Sequence, residues 1–174
     1  MKKKFWNSDK ILSLSAMFIS LCTLIVFIYQ TELIRVEQHK SVYPYLSLSN
    51  GGSGNINYRY ILENKGIGPA VLTSIKVTDS EGKVFDDIVD YVADVLVAKN
   101  DTTFGFYHTN LSVGRMIAEK ESIEIVKMND PRVKAANTMR EILNDMGAVI
   151  EIEYESIYGD KWLLTSEQRI PIKK

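Results

Sequence analysis

The side chains able to do chemistry are few and scattered in this 174-residue chain. The most distinctive polar motif is Asn64-Lys-Gly-Ile-Gly-Pro-Ala70. A glycine loop that cradles phosphate opens onto a helix N-terminus, where backbone N–H groups and the helix dipole face the anion. Here the motif runs into Val71 to Val77, which alternates like a strand. Asn64, Gly66, Gly68 and Pro69 are therefore read as a structural corner between strands. The glycines would permit positive φ, and Pro69 would bias Gly68 toward extended geometry. Four aspartates crowd at Asp86, Asp87, Asp90 and Asp94, and the first, third and fourth share a helix face. A calcium site wants a tight loop of mixed oxygens, so these are read as the wet face of an amphipathic helix. Glu151, Glu153 and Glu155 read as the outward row of a strand, with Arg59 or Lys127 expected across the sheet to balance them.

The remaining chemistry is thin. The two histidines, His39 and His108, have no partners at metal-ligand spacing. No serine sits in a Gly-x-Ser-x-Gly elbow. The one cysteine, Cys22, falls in an apolar run, so the rest of the chain has no disulfide, thiol nucleophile or thiolate site. No catalytic, metal or cofactor-binding residue is assigned, and no cofactor is expected. Paired carboxylates are a spatial property, so acid–base chemistry stays open as an alternative.

The elements that would position these residues are mostly strands. Ser41 to Ser49 reads as a first strand, at an edge because Pro44 cannot donate to a ladder. Tyr43 and Tyr45 fall on the face opposite Leu46 and Leu48 and form a candidate contact surface, tyrosine being enriched at interfaces. Ile56, Tyr58, Tyr60 and Leu62 face one way in the next strand, and Val71, Thr73, Ile75 and Val77 in the one after. Phe85 to Ala98 changes to helical period, with Ile88, Tyr91, Val92, Val95 and Leu96 on its apolar face. Strands are expected at Thr102 to His108 and Ser122 to Met128, the latter with Ile123 and Ile125 inward. A second helix follows Pro131, with Val133, Ala136, Met139, Ile142, Leu143 and Met146 inward and Gly147 closing it. Ile150, Ile152 and Tyr154 point inward in a strand that turns at Tyr158 to Lys161 and returns over Trp162 to Ile170.

Ahead of all this stands Ile11 to Tyr29, nineteen residues without a charge. As a helix it would reach roughly 28 Å, close to the hydrocarbon thickness of a bilayer. Lys2, Lys3, Lys4, Phe5 and Trp6 precede it, and no small-x-small cleavage site follows. The run is read as an uncleaved signal anchor, a transmembrane helix over 11–29 behind a cytoplasmic terminus at 1–10. Four basic residues before the run against Arg35 and Lys40 after it place the N-terminus inside. Gln30 to Lys40 reads as a helical stalk, and 41–174 as one β domain. Ser13, Ala16, Ser20 and Thr23 share one helix face. Small residues in such a row let helices approach closely, and hydroxyls that bond back to their own helix are the plainer alternative. Without Lys2, Lys3, Lys4, Lys10 and Asp9 the chain keeps 17 basic and 21 acidic residues, a net of −4, which argues against nucleic acid as partner.

Many short alternating strands predict a mainly β fold: an N-terminal transmembrane helix, then an antiparallel sandwich with two inserted helices. The membrane run, Tyr43-Pro-Tyr-Leu46, Asn64-x-Gly-x-Gly-Pro-Ala70 and Tyr154-x-Ser-Ile-Tyr-Gly-Asp-Lys-Trp162 together resemble a group of uncharacterised bacterial single-pass membrane proteins. The resemblance spans most of the chain. It implies an immunoglobulin-like sandwich behind one membrane helix and brings no catalytic residues. The expected function is that of a membrane-tethered interaction or accessory module. It would sit in the cytoplasmic (inner) membrane with its C-terminal domain outside. Its expected partners are the lipid bilayer and a membrane or envelope protein, a second copy included. Two alternatives stand beside it: an envelope hydrolase working through carboxylates such as Asp86, Asp90, Glu151 and Glu153, and the same module facing the cytoplasm.

Overall fold

The computed structural model describes residues 8–101, 105–168 and 170–174. The lysines and aromatics at 2–6, and the first part of the strand expected at 102–108, lie outside them. The chain forms two compact units, Met1–Ser41 and Val42–Lys174.

In the first unit, helix α1 runs unbroken from Ser8 to Ser41, 34 residues, with none of them buried. It is long and apolar enough to cross a membrane by length and composition. Its span of about 51 Å exceeds a bilayer core, the excess being residues 8–10 and the charged turns after Tyr29. The helix is favoured in an apolar medium because it satisfies every internal backbone group. Its hydroxyls follow the same economy: Ser13 donates to the Lys10 carbonyl (3.1 Å), Ser15 to Leu12 (2.8 Å) and Thr23 to Ile19 (2.8 Å).

In the second unit the strands are β1 (Leu46–Gly51), β2 (Arg59–Asn64), β3 (Ala70–Thr78), β4 (Val84–Phe85), β5 (Phe106–His108), β6 (Met116–Ile117), β7 (Ser122–Met128), β8 (Val149–Glu155), β9 (Lys161–Thr165) and β10 (Ile172–Lys173). Helix α2 (Ile88–Ala98) precedes β5, and α3 (Val133–Asn144) precedes β8. Two sheets result. One has the order β1-β2-β7-β5, and the other β10-β9-β8-β3-β4 with β6 also on β3. Every pairing is antiparallel. The protein is mainly β.

Both sheets contribute to one core. Tyr58, Tyr60 and Leu62 of the first sheet and its approach, and Ile150, Ile152 and Tyr154 of the second, are all buried, as their alternation predicts. Helices α2 and α3 add Tyr91, Val92, Met139 and Ile142 to it. The Tyr91 hydroxyl donates to the Ile142 carbonyl at 3.1 Å, joining the two helices.

Four local expectations are corrected. The first strand begins at Leu46 rather than Ser41, because α1 continues through Ser41 and Val42–Tyr45 is irregular. In β3 the buried residues are Ala70, Leu72, Ile75 and Val77, with Val71 and Thr73 half-exposed. A bulge against β8 between Leu72 and Ser74 explains it: one extra residue reverses the inward phase midway. A similar irregularity, between Tyr60 and Ile61 in the β2–β7 register, leaves Ile125 and Val126 both buried. Helix α2 starts at Ile88, because Val84–Phe85 pairs with the end of β3 and Asp87 caps the helix. Val133, expected inward, is 48% exposed, and Ala135 takes its place in the core.

Candidate functional site

The motif at Asn64 is built into the start of the domain. Segment Val42–Tyr45 lies along Lys65–Gly68, with the Lys65 N–H donating to the Tyr45 carbonyl (2.8 Å) and the Ile67 N–H to Tyr43 (3.1 Å). Neither Gly66 nor Gly68 has a positive φ, contrary to the expectation for this corner. They are glycines because backbone packs against them. A Cβ on Gly66 would lie 2.8 Å from the Pro44 carbonyl carbon and closer still to the Tyr43 oxygen; one on Gly68 would overlap the Val42 carbonyl. Pro69 follows, half-buried.

Asn64 is fully buried and holds this contact together. Its Oδ1 accepts the Gly66 N–H (3.0 Å) and the Tyr45 N–H (3.2 Å). Its Nδ2 faces the carbonyls of Gly68 (2.8 Å), Ile117 (3.2 Å) and Ala118 (3.2 Å). The side chain thus ties β2, the incoming segment and the β6 end together. The sequence carried a missed signal here. Asn64 falls on the same inward phase as Tyr58, Tyr60 and Leu62, which makes it a buried polar residue that must find partners.

The third motif reaches the same place. The Tyr154 hydroxyl accepts the Leu46 N–H at 3.3 Å. The Tyr154 and Trp162 rings stack with centroids 5.7 Å apart. Tyr43 meets Trp162 edge-on at 5.3 Å, and the Lys173 ammonium lies 5.8 Å from the indole. Burial pushes the Tyr154 and Tyr43 phenols above their ordinary range. Three motifs far apart in sequence are one physical corner. Tyr43 is 37% exposed and Tyr45 half-buried, while Leu46 and Leu48 lie in the core.

Of the acidic clusters, Asp86 and Asp90 are exposed at the surface and the others are engaged. Asp87 caps α2, its carboxylate accepting the Val89 N–H at 2.8 Å, and burial raises its pKa. Asp94 pairs with Lys83 at 2.6 Å. Glu151 lies opposite Lys76 and Glu155 opposite Lys161, and Glu153 pairs with Lys174 at 2.5 Å. Arg59 and Lys127 are not the balancing partners: they belong to the other sheet, where both bind Glu124 at 2.9 Å and lower its pKa. Among the described residues no group of three or more His, Cys, Asp or Glu is placed to hold a metal ion.

One cleft, of about 190 Å³, opens beside β1. It is lined by Leu48 and Asn50 of β1, Tyr60, the end of α3 at Leu143 and Asn144, Gly147, Ala148, Ser166 and Glu167. Two of its lining residues, Asn50 and Asn144, join a small polar network with Tyr58. Tyr58 donates to Asn50 Oδ1 (2.6 Å), and the Asn50 amide donates to Asn144 Oδ1 (2.8 Å). Burial pushes the Tyr58 phenol up to about 12. Glu167 is the one carboxylate in this lining; the carboxylates expected for a hydrolase are elsewhere. No family model, curated protein or solved structure matches this chain. Ser13, Ala16, Ser20 and Thr23 are all exposed on α1.

Proposed function

We propose that the protein is a membrane-tethered interaction or accessory module of the bacterial inner membrane. Its N-terminus would lie inside and its β domain outside. The observation that carries the reading is α1: an apolar run of nineteen residues, in a helix none of whose residues is buried, needs lipid or another helix. The resemblance to bacterial single-pass proteins with an immunoglobulin-like sandwich is part of the same proposal, and the strand order supports it. The orders β1-β2-β7-β5 and β9-β8-β3 follow the A-B-E-D and G-F-C arrangement of such sandwiches, with β4 added beside the C-like strand.

In-cell crosslinking followed by mass spectrometry tests the function. Reproducible recovery of one envelope or membrane protein is the expected result. Recovery of the chain alone would replace the adaptor reading with self-association. Replacing Ala16 and Ser20 by Leu would then weaken that association if the small-residue face of α1 mediates it. Orientation is tested by Ser112→Cys and an impermeant thiol reagent on intact cells. Labelling is expected, whereas protection would place the module in the cytoplasm.

A further inference from the structure

We propose that β1 is a docking edge for an extended peptide segment of a partner protein, added as a fifth strand to the four-stranded sheet. The inference rests on the interaction-module reading and names where the partner binds.

The hydrogen-bond pattern defines the edge. The Asn64 N–H and C=O bond to Glu121 and Lys120, so they point away from β1. Leu46 stands opposite Asn64 and Leu48 opposite Leu62 in a register without shifts. Alternation in an antiparallel pair then turns Ser47, Ser49 and Gly51 toward β2, and Leu46, Leu48 and Asn50 outward. The Leu46 N–H is taken by the Tyr154 hydroxyl, in keeping with this direction. Among the described residues, no backbone partner meets the outward N–H and C=O of Leu48 and Asn50.

Among the described residues, the strands β4, β5, β6 and β10 at the other edges are short. β5 has three residues, and β4, β6 and β10 have two each. Strand β1 has six, Leu-Ser-Leu-Ser-Asn-Gly, with no charge, no proline and no bulge. Proteins that avoid edge pairing use those very devices. A row of alternating donors and acceptors fits one chemistry, an extended backbone.

The cleft selects the occupant. It lies beside the outward edge, where alternate side chains of an added strand would point. Its volume is smaller than the ~300–1,000 Å³ usual for small-molecule pockets, and it suits a single side chain. A second copy pairing β1 with β1 would not fill it, because Leu46 and Leu48 of that copy are buried in its own core. A peptide with uncommitted side chains fills both the edge and the cleft.

The test uses the full chain in lipid nanodiscs. Without a probe, the Leu48 and Asn50 amides should exchange much faster than those of Ser47 and Ser49. The protein is then panned against random linear peptides displayed on phage, and a recovered peptide serves as probe. At saturation it should slow Leu48 and Asn50 exchange by about tenfold or more. Ala148→Phe, which fills the cleft and removes no hydrogen bond, and Asn50→Pro, which deletes an outward donor, should each weaken binding at least tenfold. Tyr107→Ser on the opposite edge should leave it unchanged. Recovery of no peptide would overturn the proposal, as would a peptide that leaves those two amides unaffected. Concentration-dependent protection of the two amides without probe would overturn it too, in favour of a second copy. If crosslinking in cells still recovers a partner while β1 stays bare, the docking edge fails and the interaction module stands.

Discussion

Removing the Asn64 side chain should unfasten the corner at the start of the domain. Asn64→Ala leaves two backbone donors, the N–H groups of Gly66 and Tyr45, without their acceptor, and withdraws a donor from the Gly68, Ile117 and Ala118 carbonyls. Each orphaned buried donor costs about 1–3 kcal/mol, while carbonyls with a second lone pair cost less. Water entering the vacated space recovers part of this. A loss of about 3–5 kcal/mol follows, a large share of the ~5–15 kcal/mol that holds a domain folded. In urea that is a midpoint shift of about 2 M for a slope near 2 kcal/mol/M. The assay is equilibrium unfolding of the full chain in detergent micelles, with Trp6→Phe in the background so that Trp162 alone reports. Asn64→Asp separates the two halves of the amide. It keeps the acceptor but turns a carboxylate toward three carbonyls, so its folded pKa should rise. The variant should gain stability as pH falls and lose it as pH rises through that value. If Asn64→Ala unfolds within about 1 kcal/mol of the parent, the amide does not hold the corner and the reasoning fails.

Gly68→Ala should lower the melting temperature more than Gly54→Ala. The first meets the Val42 backbone, whereas Gly54 has φ +77° in open space, where a side chain costs only about 1–2 kcal/mol. It should also speed exchange of the Lys65 and Ile67 amides, which bond to the Val42–Tyr45 segment. At high pH, the raised Tyr58 and Tyr154 phenols contribute stability that is full below the ordinary value near 10. It is lost as pH rises toward about 12 for Tyr58, and circular dichroism should show unfolding there that Tyr58→Phe flattens. At low pH, Asp130 is held down to about 2 by the Arg132 guanidinium, with Nη2 2.6 Å from its carboxylate. That contribution is present above the ordinary carboxylate value and lost as pH falls toward about 2, so Asp130→Asn should remove part of the acid dependence.

The elements that sequence disclosed are those set by local rules. Helix α1 follows from composition alone, and α2, α3 and β8 from a clean period of apolar residues. What stayed hidden depends on neighbours in space. The bulge in β3 was invisible because alternation is intact on either side of it: Ala70 and Leu72, then Ile75 and Val77. Only pairing with β8 reveals that the phase has switched. Gly66 and Gly68 look like residues needing positive φ, but their requirement comes from the backbone of Val42–Tyr45, more than twenty residues earlier. The balancing of Glu151 and Glu153 by Lys76 and Lys174, rather than Arg59, likewise depends on which sheet each strand joins.

The corner and the edge are coupled by this geometry. Asn64 and Tyr154 fix Tyr45 and Leu46, and so set where β1 begins and which of its backbone groups face outward. Pro44 immediately precedes that fixed point, on the outward phase, and has no N–H, so the row of outward donors does not continue backward past Leu46. The free row is therefore confined to Leu48 and Asn50, directly beside the cleft. A substitution that loosens Asn64 should thus speed exchange at Leu46, whose N–H is held by Tyr154, before the domain unfolds, whereas one that only weakens the core should not. The motifs that sequence offered as mere corners have a positional role: they hold one uncharged strand at the rim of the sheet.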